Sequence, residues 1–412
     1  MVEELKIDKE APQNGVLFFY ISTILSYLAG MMYSYANVIY VSWLTGSQAY
    51  TGLIYFISFF PFLFLNLYGG VLADRYSRKK ILLVAQSVYA ISAAVFSVMV
   101  YLSGNESVSF VFVLMMCLVN AVAFSFLPSA RLSMVADLVP SGKIKNATII
   151  VNLTFILSVG IGPLLIGLLK ENYSWMMVYA APFVCYLLSN LMLLCVKSNE
   201  TTSKTEGVDF KYFMEGVKYI KSSHLIWQFL MLTCVATIIL GPLEVLVPLY
   251  LNDVLGLSEA DRGIFMGLLG LGLLLGGILS MLAGKFLNKA LLVIIGIVIS
   301  SIFLMFLSFV DSVTWAVICV VLSSMFGSFS VNLITVILQS EVVDEMRGRV
   351  MSFFSLFYIV SPAVSALFLS IISERVGFDI TFQLSAIFII LASIMLFLLF
   401  PSIRKFSDNT VC

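Results

Sequence analysis

The sequence predicts an all-α membrane protein with twelve transmembrane helices in two pseudo-symmetric six-helix bundles. Three observations carry that prediction. Of the 412 residues, 61% are hydrophobic and only 11% are charged, with a mean hydropathy of +1.05; a soluble domain is about 45–50% apolar and about 25% charged. Twelve apolar segments are each long enough to cross a hydrocarbon core about 30 Å thick, which takes about 20 residues of helix. Finally, GGVL at 69–72 returns as GGIL at 276–279, and Asp137 in MVADLVP returns as Asp344 in VVDEMRG, each 207 residues further on. Two landmarks at one spacing, at matching places in their blocks of six, argue for a duplicated six-helix unit.

The segments run 16–43, 50–72, 81–102, 108–131, 146–169, 175–196, 225–250, 263–284, 289–310, 313–338, 350–373 and 379–401. The last two are separated by SERVGFD. The opening stretch, MVEELKIDKEAPQNG, mixes acids with lysines and precedes a segment too long for a signal-peptide core, so no removable targeting signal is expected. Assigning the connections to alternate sides puts 20 of the 23 Lys and Arg on the side of the N-terminus, with only Lys170, Arg262 and Arg375 opposite. The positive-inside rule then places both termini in the cytoplasm. The longest polar interruption divides the chain into an N-terminal bundle (1–196), a cytoplasmic linker (197–224) and a C-terminal bundle (225–412) with a short cytoplasmic tail. In the linker, Phe210, Phe213, Met214, Val217 and Ile220 recur at helical spacing, predicting a short amphipathic helix along the cytoplasmic surface.

Several function classes are disfavoured. Lys plus Arg and Asp plus Glu both total 23, so there is no basic excess for nucleic acid. The six cysteines show no CxxC or metal-ligand spacing, and His224 is the only histidine, so His-based catalysis or a metal centre has nowhere to assemble. No GxxxxGK[ST] loop is present, which argues against a nucleotide-driven pump. No cofactor is expected. A membrane-embedded enzyme or a non-transporting sensor is the alternative from another class.

The most informative loop is GGVLADRYSRKK, residues 69–80. Gly69 and Gly70 permit close helix approach. Arg75, Arg78, Lys79 and Lys80 hold the loop in the cytoplasm and reach anionic headgroups, while Asp74 is placed to pair with cations or face the positive end of a neighbouring helix. Asp137, Glu341, Asp344, Arg347 and Arg349 are expected on the same face.

This loop resembles the signature of the major facilitator superfamily between its second and third helices, and the resemblance covers essentially the whole chain. LTGSQAYTGL (44–53), the Pro61 to Gly69 approach, GPLLIGLL (162–169) and LQSEVVDEMRGRVMS (338–352) resemble the branch containing macrolide-efflux proteins and the enterobactin exporter. The resemblance implies the major facilitator fold, alternating access in a bacterial inner membrane, and a conformational gate of Gly70, Asp74, Arg75, Arg78, Lys79, Asp137, Asp344 and Arg347. Gly160, Gly162 and Pro163 resemble the glycine-proline element that antiporters of the superfamily carry in helix 5. Where such antiporters carry an arginine in helix 4, this chain has Asn120, which holds no fixed charge.

Glu244, in IILGPLEVLVPLY, is the only carboxylate well inside a segment. Charges in hydrocarbon are costly and functional, and one proton neutralises a carboxylate, so Glu244 is the expected proton-coupling site. Pro242 and Pro248 remove backbone donors on either side and predict a locally opened helix. Arg131, at the cytoplasmic end of its segment, is expected to snorkel or to pair with Asp137. By resemblance the cavity is lined by helices 1, 4, 7 and 10, which offer Tyr33, Asn37, Asn120, Phe124, Glu244, Phe329 and Asn332. Aromatic walls with scattered neutral polar groups suit a bulky, partly apolar solute. The expected function is export of such a compound, an antibiotic or a siderophore, by proton antiport; the alternative is a symporter importing a small metabolite. The expected partners of a monomer are the small-molecule substrate, protons and the lipid bilayer.

Overall fold

The structure, a computed structural model, describes residues 13–66, 68, 76–104, 108–197, 210–283 and 288–405. Among the described residues, twelve helices are long and apolar enough to cross a membrane. They are α1 (Gly15–Thr45), α2 (Gln48–Asn66), α3 (Arg78–Leu102), α4 (Phe110–Leu138), α5 (Ile144–Asn172), α6 (Trp175–Cys195), α7 (His224–Asp253), α8 (Glu259–Ala283), α9 (Lys289–Leu307), α10 (Val313–Glu341), α11 (Asp344–Val376) and α12 (Phe378–Leu399). Links of a few residues join most neighbours, so successive helices run antiparallel. One end of the bundle, the terminal face, carries the start of α1 and the end of α12; the other is the opposite face.

The punctuation has local causes. Ser47, Ser77, Ser223 and Asn288 cap the starts of α2, α3, α7 and α9, each side chain accepting from the backbone N–H three residues on. A single residue, Gly377, separates α11 from α12 at φ 86°, a conformation open to glycine. Helix α4 runs to Leu138, beyond the apolar segment 108–131, with Met134, Val135 and Leu138 of its last turns buried in the protein.

In the first half α6 packs on α1 and α3, and α1 on α5; in the second half α10 packs on α8 and α9, and α9 on α12. Among the described residues the two most extensive crossings between the halves are α5 with α8 and α2 with α11. The linker helix Phe210–Ser222 leans on the start of α11, where Gly216 faces Arg349 and Phe353 and Glu215 pairs with Arg349 at 3.0 Å.

Candidate functional site

Proline chemistry opens α7 around Glu244, the acidic residue in its interior. Pro242 has no N–H to give the carbonyl of Ile238, and the chain widens there into a π-helical turn, Pro242–Leu246, with Glu244 at its centre. Ser365 of α11 supplies what the proline withholds: its Oγ lies 2.8 Å from the Ile238 carbonyl oxygen. The opened turn directs Glu244 across the molecule, where its carboxylate accepts a 2.5 Å hydrogen bond from the Tyr55 hydroxyl of α2. The Tyr55 ring is seated among Val38 of α1, Val245 of α7, and Ala363 and Ala366 of α11, so four helices, two from each half, meet at this bond. Seven residues into α2 from the opposite face, it lies about 10 Å deep.

Of the predicted gate, Gly70, Asp74 and Arg75 lie outside the described residues, as does the Asp344 side chain. Arg78 pairs with Asp137 and also donates to the Ser133 carbonyl at 3.1 Å, tying the start of α3 to the end of α4. Lys79 donates to the carbonyls of Leu194 and Val196 at 2.9 and 2.7 Å, where a cation meets the negative end of α6. Arg347 is exposed on the first turn of α11.

Arg131 departs from expectation. It neither snorkels nor pairs with Asp137, whose carboxylate is held by Arg78. Instead it is 1% exposed, donates to the Ser26 hydroxyl at 2.8 Å, and lies 4.2 Å from the centre of the Tyr27 ring. A helical hydroxyl and a ring quadrupole, both neutral, hold this cation inside the first half.

The predicted cavity residues fall into separate groups. Tyr33, Asn37 and Asn120 are buried in the interior of the first half. There Asn37 accepts from Tyr179 at 3.0 Å and lies 3.5 Å from the Cys117 sulfur, and Tyr33 packs edge-on against Tyr89 and Tyr179. Both polar atoms of the Asn120 side chain and the Tyr33 hydroxyl are buried without a hydrogen-bond partner among the described residues. Phe124 packs on Phe59 and Phe62 of α2. Phe329 is wedged against Gly276 of α8 and Gly296 of α9, and Asn332 donates to the Ser328 carbonyl at 2.8 Å.

The helix 5 glycines make close approaches. A β-carbon on Gly160 would lie 3.0 Å from the Gly267 carbonyl of α8, and one on Gly162 would lie 2.7 Å from the Met31 Cβ of α1. The Pro163 carbonyl faces Gly263 of α8. This stretch therefore builds the α5–α8 crossing.

With this arrangement in view, the sequence pattern of the Major Facilitator Superfamily matches residues 19–349 and 289–410. The chain belongs to the Major Facilitator Superfamily. This superfamily member is a multi-pass membrane transporter and not an enzyme. It is 20% identical over 381 residues to macrolide efflux protein A of Streptococcus pyogenes, covering 90% of this chain and 92% of the relative. It is 21% identical over 383 residues to the staphyloferrin A transporter of Staphylococcus aureus, with the same coverage. The fold matches a bacterial homolog of the human lysosomal transporter Spinster with a TM-score of 0.75 at 14% identity, over 95% of this chain and 96% of that one. Sequence reasoning misses Tyr55: it is the only aromatic of YFISFF that can donate a hydrogen bond, but nothing in the sequence sets α2 against the α7 turn.

Proposed function

We propose that this transporter exports an amphipathic organic compound, of the antibiotic or siderophore kind, across a bacterial inner membrane by alternating access, in exchange for protons that bind at Glu244. The observation that carries it is the Tyr55–Glu244 hydrogen bond between the halves. A titratable group that bridges two rigid bodies gives a proton direct leverage on their relative position, because protonation changes the bond that the bodies share.

With both termini in the cytoplasm, as the cation distribution supports, the opposite face is the outer one. The contacts that Glu244, Gly52 and Gly263 make between halves lie on that side, which corresponds to an inward-facing arrangement. Asp74, Arg75 and the Arg78–Asp137 pair would then close the inner face in the other state. The names macrolide efflux protein and staphyloferrin A transporter agree with an organic cargo, and the first of them with outward movement.

A sensitivity and metabolite-export screen tests this by comparing a deletion strain carrying the wild-type chain, the Glu244→Gln chain, or an empty vector. The wild-type chain is expected to lower the intracellular level of at least one amphipathic compound by about tenfold, on the scale that one proton can drive, and Glu244→Gln to match the empty vector. Identical profiles for all three strains would contradict the proposal.

A further inference from the structure

The two most extensive crossings between the halves are built from one pattern used twice. Ser47, Ala49 and Gly52 at the start of α2 recur as Ser258, Ala260 and Gly263 at the start of α8, each 211 residues on. Both serines cap their helices in the same way, accepting from Tyr50 N and Asp261 N at 3.2 Å. Both glycines meet the other half without room for a side chain. A β-carbon on Gly52 would lie 2.6 Å from the Ser370 Cβ of α11, and one on Gly263 would lie 2.9 Å from the Gly167 Cα of α5.

Four residues beyond Ser370 and Gly167 stand Glu374 and Glu171. Glu374 accepts from the Ala49 N–H at 2.8 Å and from the Ser47 hydroxyl at 2.7 Å. Glu171 accepts from the Ala260 N–H at 3.3 Å. Each half therefore sends a carboxylate from the end of its fifth helix to the unpaired amides at the start of the other half's second helix.

The placement is hard to explain within one helix. A carboxylate in the last turn of α5 or α11 opposes the negative end of its own helix dipole, whereas the start of a helix from the other half offers free N–H groups and partial positive charge. At the α8 start, Glu259 is engaged with Arg262 at 2.5 Å, three residues along its own helix. The acceptor that crosses to Ala260 comes from α5.

We infer that Glu374 and Glu171 are a pseudo-symmetric pair of latches that hold the opposite face closed by capping the starts of α2 and α8 across the two halves. Opening that face separates each glutamate from its helix start, so the pair sets the balance between the two conformations. The inference rests on alternating access, and not on the substrate, the direction of transport or Glu244.

The test is a spin-label distance measurement on the full chain in lipid nanodiscs, in a cysteine-free background with labels at Leu102→Cys and Phe309→Cys. Both positions are exposed, at 71% and 65%, at the opposite-face ends of α3 and the α9 region. Glu374→Ala is expected to raise the ratio of long to short distances about fivefold. Glu171→Ala, which loses one longer bond, should raise it about twofold, and the double variant about tenfold, since separate sites add in free energy. Glu374→Gln, which keeps an acceptor but not the charge, should fall between wild type and Glu374→Ala, with the unfolding temperature unchanged.

A folded double variant with the wild-type distance distribution overturns the inference. Should the double variant fail to fold, the two Gln variants decide by the same criterion. A wild-type protein that interconverts while its latch variants match it counts against the latches alone. A protein held in one conformation in every variant counts against alternating access as well.

Discussion

Glu244→Gln is expected to abolish proton-driven export while preserving exchange of substrate for substrate. Glutamine is close to the size of the protonated acid and still accepts from the Tyr55 hydroxyl across the halves, so the conformational cycle survives. What disappears is the exchangeable proton. One charge moving through 100 mV is worth about 2.3 kcal/mol, which sustains roughly a 40-fold substrate gradient per proton; in the variant that gradient falls to the equilibrium distribution. Measuring accumulation and counterflow side by side checks this. Loss of both would make Glu244 a structural acid, and retention of both would remove it from coupling.

Gly52→Leu is expected to have the other large effect, through packing rather than charge. The glycine stands where any β-carbon would be 2.6 Å from Ser370 and 2.8 Å from the Ala366 carbonyl, closer than unbonded atoms approach. Four added carbons have no room unless α2 and α11 separate, and overpacking of a close crossing costs about 1–3 kcal/mol or more. The closed form of the opposite face should therefore be depopulated at least about fivefold, with transport falling in proportion. Gly348→Ala is the control, since nothing lies within 4 Å of a β-carbon there. Transport and thermal unfolding measured on both variants check the expectation; wild-type transport by Gly52→Leu would show that this crossing need not close.

The twelve helices were legible because hydrocarbon imposes one length and one composition on any spanning segment. Even the single-residue break at Gly377 was marked by SERVGFD. The local chemistry of α7 was legible for a similar reason: a proline removes a donor wherever it stands, and two of them beside a lone acid announced an opened turn, observed at Pro242–Leu246.

What lay beyond the sequence was tertiary pairing. Arg131 reads as a boundary cation by its distance from the end of an apolar run, yet the fold encloses it between Ser26 and Tyr27. Tyr55 gains its role only when α2 meets the α7 turn. The serine, alanine and glycine repeat in SQAYTG (47–52) and SEADRG (258–263) was present as a signal, but its meaning depends on the glutamates that the crossings bring to it from other helices.

The central claim, export in exchange for protons, is tested most directly in inside-out membrane vesicles containing the wild-type chain and a compound identified by the export screen. With an acid lumen, protons leave toward the former cytoplasmic side, and the compound should accumulate inside to about 40-fold at 100 mV of driving force. That accumulation should collapse when a protonophore is added. Uptake that is the same with and without the gradient would contradict proton antiport.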